Sequence, residues 1–144
     1  MNCKQKTEDR RLLCGMVNAV DTAVGDVVQY LKANGLYDNT IIIFSSDNGG
    51  AVDFGGNNWP LRGAKFTLWE GGTRTHGFVH APQHVQKHAV REDLFHVVDW
   101  YATIMAMASG ESDIDQYGDG YNQWDMITKG TKGKRNSVVY NYAQ

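Results

Sequence analysis

The side chains best suited to chemistry are concentrated in one segment, residues 41 to 74. Asp47 and Asn48 follow an apolar run and offer a carboxylate and an amide oxygen, the hard ligands that Ca²⁺ or Mg²⁺ prefers. The glycine-rich stretch after them carries three cations that could hold a phosphate or sulfate ester, namely Arg62, Lys65 and Arg74. The segment therefore predicts an anion site beside a metal ion.

The tetrapeptide from Asp47 to Gly50 also has a second interpretation, because Asx-Gly is a common turn signal in β-hairpins. No alternating partner strand follows Gly50, where Gly and Asn dominate, and this favours a long loop. Two ligands do not complete a metal site, and the cations could equally belong to a solvated basic loop. From the residues alone, the turn and the metal site both stay open.

Other chemistries are disfavoured by spacing. The chain has no G-K-[ST] or G-x-G-x-x-G phosphate motif, and Ser45 and Ser46 lack the G-x-S-x-G nucleophile elbow. Histidines recur at positions 76, 80, 84 and 88, but Gly77 and Pro82 interrupt any helix that would align them on a metal. We expect at most one or two of them near a site, and we expect His96 to be a hydrogen-bonded histidine in a buried helix.

The elements that position these residues follow from apolar periodicity. A helix is predicted from its N-cap Thr7 to a left-handed stop at Asn34 and Gly35, since apolar residues recur at three- and four-residue steps. The unbroken run from Ile41 to Phe44 predicts a fully buried strand of a parallel sheet at about 40–46, and ligands gather beyond the carboxyl ends of such strands. The remaining predictions are a strand at 77–80, a buried helix at 92–109, a short helix at 124–128 and a strand at 137–142.

Composition bounds the class of protein. The chain has 144 residues, 42% of them hydrophobic, which suits one globular domain. A net charge of −2 without a basic face disfavours nucleic acid as a partner, no run of about 18 apolar residues indicates a membrane span, and the first residues do not form a signal peptide. Cys3 and Cys14 are too few for a disulfide framework, and we expect Cys14 to be a small buried apolar residue.

Three stretches resemble the catalytic domain of type I sulfatases: SSDNGG, GGNNWPLRGAKFTLWEGGTR and GFVHAP. The resemblance is strongest to the arylsulfatase B group, N-acetylgalactosamine-4-sulfatase and its relatives, and it extends from the first helix to GYNQWDMI. It implies an α/β sandwich like that of alkaline phosphatase, a mostly parallel sheet flanked by helices. Residues 1–144 would be the C-terminal part of the sulfatase catalytic domain.

The same resemblance implies roles for three residues. Asp47 and Asn48 would be two of the protein ligands of an active-site Ca²⁺, and Lys65 would contact the substrate sulfate. The family reaction is hydrolysis of a sulfate ester, in which a formylglycine hydrate attacks sulfur while the metal and lysines hold the sulfate oxygens. Supporting roles, including an ion pair between Glu70 and Arg74, fall to Arg62, Trp69, Glu70 and Arg74.

The chain departs from the family pattern at the nucleophile. Formylglycine arises in the family from the cysteine of C-x-P-S-R, and neither Cys3 nor Cys14 fits that motif. We therefore expect the part that bears formylglycine and the small C-terminal domain to be absent, and the chain by itself to be inactive.

The resemblance also implies a substrate and a location. It points to an arylsulfatase that acts on sulfated glycosaminoglycans, in lysosomes or outside the cell, with no nucleic-acid or membrane partner. The alternative is a non-catalytic module that binds sulfate or glycan through Lys65.

Overall fold

The computed structural model describes residues 7–85, 88–110 and 116–140, apart from the side chains at 116 and 117. The chain divides into two compact units, Met1–Phe78 and Val79–Gln144. The first unit contains helix α1 (Glu8–Ala33), strand β1 (Ile42–Ser45) and the short helix α2 (Glu70–Thr73). Strand β2 (Gly77–His80) crosses the boundary, and the second unit contains α3 (Asp99–Ser109), β3 (Gln116–Tyr117), β4 (Gly120–Tyr121) and α4 (Trp124–Lys129).

Helix α1 forms as its periodicity predicts. Thr7 caps it by accepting the Arg10 N–H at 3.4 Å, and Gly35, with φ +67°, follows its last turn. None of its residues is buried, and many of its apolar side chains are exposed, with Met16 61% and Val20 54% exposed. The Arg10 guanidinium ties it to the loop after β1 by donating to the carbonyl oxygen of Gly55 at 2.6 Å. Among the described helices, none has the length and apolarity of a membrane span.

Strand β1 forms where predicted, next to β2, and the α/β class is confirmed. The pair is antiparallel, because the Ser46 N–H donates to the carbonyl oxygen of His76 at 2.9 Å while Phe44 stacks on Phe78 with ring centroids 5.2 Å apart. Phe44 is 37% exposed. The prediction of a fully buried strand with a parallel neighbour is therefore wrong for this pair, because a two-stranded sheet in the described part of the chain leaves β1 without a covering layer.

Helix α3 begins at Asp99, later than the predicted start at residue 92. The Asp99 carboxylate accepts the His96 N–H at 2.9 Å, and Asp93 accepts the Gly133 N–H at 2.9 Å. The local bond between the Asp99 side chain and the His96 N–H offers the backbone just before Asp99 an alternative to helical hydrogen bonds. The helix buries one face, and Ile104 is 42% exposed, so the prediction of burial on most sides is also wrong.

A buried ion pair organises the second unit. Asp99 is fully buried, and Arg135 binds it twice, from Nε to Oδ2 at 2.8 Å and from Nη2 to Oδ1 at 2.6 Å. The backbone N–H of Tyr121 donates to the same carboxylate at 2.9 Å, as does that of His96. Burial alone would raise the pKa of Asp99, but the Arg135 guanidinium and these two N–H groups together hold that pKa below its ordinary value.

Three predictions outside these elements have different outcomes. Cys14 is half-buried and disulfide-bonded, so the prediction of a small buried apolar residue is wrong. Two cysteines are too few for a framework of several disulfides, but a single disulfide is still possible. Cys3 lies outside the described residues. Helix α4 confirms the short helix predicted at 124–128. The predicted strand at 137–142 is wrong over residues 137–140, and residues 141–142 lie outside the described ranges.

Candidate functional site

Asp47 and Asn48 lie just beyond the carboxyl end of β1, as predicted. Asp47 Oδ1 accepts the N–H of Asn48 at 2.8 Å, and the Asn48 side-chain amide donates to the carbonyl oxygen of Gly49 at 2.9 Å. The Ser46 hydroxyl donates to the carbonyl oxygen of Asn48 at 3.1 Å. A carboxylate and an amide oxygen retain further lone pairs after bonds of this kind, so both side chains can still accept from a donor or ligate a cation.

Beyond Asn48 the chain packs backbone to backbone against α2. The Gly49 N–H donates to the carbonyl oxygen of Gly72 at 2.9 Å, and the Gly71 N–H donates to that of Arg62 at 2.7 Å. A Cβ on Gly49 would collide with the carbonyl oxygen of Gly71, and a Cβ on Gly71 would come within 2.6 Å of that of Arg62. Only glycine fits between these segments, which holds the end of β1 against the cation-bearing loop.

Asn58 joins three backbone groups of this loop. Its Oδ1 accepts the Gly50 N–H at 2.8 Å, and its Nδ2 donates to the carbonyl oxygens of Gly50 at 2.9 Å and Gly63 at 3.2 Å. Sequence patterns had not indicated this residue. The signal that could have found it is the pair Asn57 and Asn58 between a glycine pair and Trp-Pro, since Asx side chains bind nearby backbone in turns.

Lys65 lies in a tight turn whose backbone is bonded to the loop that follows β1. Its backbone N–H donates to the carbonyl oxygen of Gly50 at 3.2 Å. Thr67 closes the turn by donating its N–H to the carbonyl oxygen of Ala64 at 3.0 Å. The Lys65 ammonium nitrogen lies 5.2 Å from the centroid of the Phe66 ring. The structure thus joins the predicted lysine, through its backbone, to the chain just after Asn48.

The other two predicted cations bind side chains of their own segment. The Arg62 guanidinium carbon lies 3.7 Å from the centroid of the Trp69 ring, a cation–π contact. Arg74 pairs with Glu70 at 3.4 Å, which confirms the predicted ion pair, although both side chains are more than half exposed and the pair contributes only about 0.5 kcal/mol. Among the ion pairs of the described residues, none involves Lys65.

The donor set fits a hard divalent cation in kind and falls short in number. Ca²⁺ takes about 6–8 oxygen ligands, and Asp47 and Asn48 offer a carboxylate and an amide oxygen. Within residues 7–85, 88–110 and 116–140, no group of three or more His, Cys, Asp or Glu side chains is arranged to hold a metal ion. A calcium ion bound at these two residues would need further ligands from beyond this set.

The regularly spaced histidines do not form a metal stripe. His76 precedes β2, His80 ends it, and His84 lies in a turn with its ring 5.9 Å from that of Trp124, so no single helix carries them. His96 is hydrogen-bonded as predicted, with its Nδ1 accepting the Val98 N–H at 3.4 Å, but it is half-buried and precedes α3 rather than lying within it.

Sequence comparisons give matches along most of the chain. The protein-family model described as Sulfatase matches residues 1–110. Arylsulfatase J of Mus musculus is 45% identical over 133 residues, which make up 92% of this chain and 22% of that protein. N-acetylgalactosamine-6-sulfatase of Homo sapiens is 31% identical over 118 residues, 79% of this chain and 23% of that protein.

Solved structures share the fold. The crystal structure of Ps i-CgsB in complex with k-i-k-neocarrahexaose has a TM-score of 0.80 and 40% identity, over 88% of this chain and 28% of that one. The PsFucS1 sulfatase from Pseudoalteromonas sp. has a TM-score of 0.69 and 34% identity, over 86% of this chain and 26% of that one. The chain therefore spans about a quarter of the length of the proteins it matches.

Proposed function

Because this chain belongs to the sulfatase family, as the match over residues 1–110 shows, we propose that it forms part of a sulfuric ester hydrolase. In this proposal Lys65 binds the substrate sulfate, and Asp47 and Asn48 ligate Ca²⁺. The observation that carries it is the 3.2 Å bond from the Lys65 N–H to the carbonyl oxygen of Gly50, which joins the lysine-bearing turn to the end of β1. A cation and hard oxygen donors on adjoining segments suit the binding of a sulfate ester.

Each residue has its own task in this proposal. The Lys65 ammonium binds a sulfate oxygen and offsets the negative charge that develops as the bond between sulfur and the leaving alcohol breaks. Asp47 and Asn48 would supply two oxygen ligands to Ca²⁺, which would act as a Lewis acid towards the sulfate group. The hydrogen bonds of Asn58 and the close glycine contacts hold the loop that carries these groups in place. Binding therefore costs little conformational entropy in the loop.

The nucleophile would come from outside these residues. The 144 residues contain no C-x-P-S-R sequence, the source of formylglycine in the family. We propose that the chain by itself binds sulfate esters without hydrolysing them.

Sulfated glycans are the substrate class that we propose, as for an arylsulfatase of glycosaminoglycans. The name N-acetylgalactosamine-6-sulfatase and the neocarrahexaose bound to Ps i-CgsB support a glycan. The disulfide at Cys14 suits an oxidising compartment, as for a lysosomal or secreted protein.

Removal of one charge tests the sulfate site. The dissociation constant of inorganic sulfate for the 144-residue chain, measured by calorimetry with Ca²⁺ present, should rise about tenfold in Lys65→Ala, the equivalent of one charge-assisted hydrogen bond. Lys129→Ala is the matched control, because Lys129 is exposed and paired with Asp125 at 2.9 Å, and it should leave the constant unchanged. Equal weakening by both substitutions would contradict a specific site at Lys65.

The metal and the inactivity are tested on the same preparation. Ca²⁺ should raise the melting temperature of the wild-type chain and have a smaller effect on Asp47→Ala, because a ligand that binds the folded state stabilises it. An aryl sulfate such as 4-nitrophenyl sulfate should not be hydrolysed. Turnover that Lys65→Ala abolishes would refute the inactivity of the chain while supporting the site.

A further inference from the structure

The aromatic side chain of Phe66 is almost fully exposed to solvent. It is 92% exposed, the highest value among the exposed large hydrophobic residues of the described chain. A ring in this position contributes no burial to the core and exposes apolar surface at a cost. The ring contributes little to the core and is free to contact a ligand.

The backbone of Phe66 is held in a costly conformation. Its φ of +74° lies in the left-handed region, at the third position of the turn Ala64–Thr67, where turns of type II normally carry glycine. A non-glycine residue there costs roughly 1 kcal/mol or more. Thr67 fixes the turn twice, since its Oγ1 donates to the carbonyl oxygen of Ala64 at 2.8 Å and accepts the Ala64 N–H at 3.1 Å. Strain that the surroundings impose in this way is typical of functional sites.

The exposure of Phe66 differs from that of helix α1. On α1, the exposed Val20, Val24 and Val27 recur at helical spacing, which is the pattern of a packing face. Phe66 belongs to no such stripe. It is the neighbour of Lys65 in one turn, with the ammonium nitrogen 5.2 Å from its ring centroid. The turn therefore presents a cation and an apolar face together.

We propose that Phe66 is a substrate-recognition residue, whose ring packs on the flat face of the aryl or sugar ring that carries the sulfate bound by Lys65. This inference rests on the proposed function of Lys65. A sulfate ester has one charged end and one ring-shaped end, and the turn offers a partner to each. Inorganic sulfate has only the charged end, so Phe66 should select esters over the free anion.

The experiment compares three ligands with wild type, Phe66→Gly and Lys65→Ala. The ligands are inorganic sulfate, 4-nitrophenyl sulfate and N-acetylgalactosamine 4-sulfate, and the dissociation constants are measured by calorimetry on the 144-residue chain with Ca²⁺. Phe66→Gly should weaken binding of a ring-bearing ester about three- to tenfold, the usual range of one aromatic contact, and leave inorganic sulfate unchanged. A loss for only one of the two esters assigns the ring class, aryl or sugar.

Further variants serve as controls for folding. Glycine suits a positive φ, so Phe66→Gly should melt at the same temperature as wild type or higher, and Phe66→Trp should restore ester binding. Phe54→Ala is the matched control, since Phe54 is 72% exposed in the same unit but outside the turn, and it should change no constant.

The outcomes separate this inference from the proposed function. If Phe66→Gly weakens all three ligands equally or none, the inference is overturned, and a tenfold loss in Lys65→Ala would still support the sulfate site. If Lys65→Ala changes nothing, or wild type binds no ligand, the proposed function fails and the inference fails with it.

Discussion

At the scale of single residues, Asn58 organises the site loop from one side chain. Its amide pairs with both the N–H and the carbonyl oxygen of Gly50 and reaches the carbonyl oxygen of Gly63. The Lys65 N–H bonds to the same carbonyl oxygen of Gly50. The position of the lysine turn relative to the end of β1 thus depends on an amide that carries no charge and needs no contact with a substrate.

We expect Asn58→Ala to lower the free energy of unfolding by about 2 kcal/mol, because it removes three hydrogen bonds and takes from the Gly50 N–H and the Gly63 carbonyl oxygen the partner that Asn58 supplies. Urea denaturation of the 144-residue chain measures this. The control is Asn57→Ala, which removes one exposed bond to the Trp59 N–H and should cost less than about 1 kcal/mol. Equal effects of the two substitutions would show that Asn58 does not organise the loop.

The candidate site could be predicted from the sequence only in part. Residues with reactive side chains could be named, whereas residues that act through contacts formed on folding could not. Asp47, Asn48 and Lys65 could be named as candidates because their chemistry resides in the side chain and their order is visible in the sequence, and their roles stay predictions. Asn58 could not be named, because its three partners become neighbours only when the glycine-rich loop folds. The left-handed conformation of Phe66 was hidden for the same reason, since Thr67 imposes it through the turn.

At the scale of elements, helix ends that are marked by local sequence signals were predicted well, and features that depend on tertiary contacts were not. Helix α1 was predicted with its cap and its stop, because both signals lie within the helix or next to it. The start of α3 was predicted too early, because the bond from the His96 N–H to the Asp99 side chain, just before the helix, is not visible in the apolar periodicity. The burial of β1 was predicted wrongly because burial depends on layers that its own residues do not specify.

Asp99 should make the stability of the second unit depend on pH. Its folded-state pKa lies below the unfolded value of about 3.9, so its ionised form stabilises the fold above that value, and the contribution is lost as the pH falls through it towards the folded pKa. We expect the unfolding free energy of the wild type to fall in this acidic window. In Asp99→Asn it should vary less there and be about 3 kcal/mol lower at neutral pH, because Arg135 then lacks its partner.

Chemical denaturation at a series of pH values measures both effects. Asp125→Asn is the control, since Asp125 pairs with Lys129 on the surface and its loss should cost at most about 0.5 kcal/mol. An Asp99→Asn variant as stable as this control, or one with the acid sensitivity of wild type, would contradict the role of the buried pair.

At the scale of the whole molecule, helix α1 carries a row of exposed apolar residues along one face. The exposed apolar residues of the helix include Leu12, Met16, Val17, Val20, Val24 and Val27. A stripe of this length is larger than isolated exposed side chains and marks a surface suited to association. The periodicity of the sequence predicted the stripe, but periodicity alone does not say what covers it.

We expect Met16→Lys and Val20→Lys to change the unfolding free energy of the 144-residue chain by no more than about 0.5 kcal/mol, because neither side chain is buried. Both should reduce aggregation and the binding of a hydrophobic dye. Met126→Ala is the comparison, because Met126 is 4% exposed and its truncation should cost about 2–4 kcal/mol. A loss of that size in the α1 variants would show that the helix face is covered in solution.

The pairing of Asp99 with Arg135 also bears on where this chain can be cut. The family match ends at residue 110, before Arg135, yet Asp99 lies within it and receives its counter-ion from beyond it. A polypeptide truncated at residue 110 would keep every residue of the family match but lose both Arg135 and the Tyr121 N–H, which bind the Asp99 carboxylate. The end of the family match is therefore not the end of the folding unit, because Arg135, which neutralises Asp99, lies in the same compact unit as helix α3.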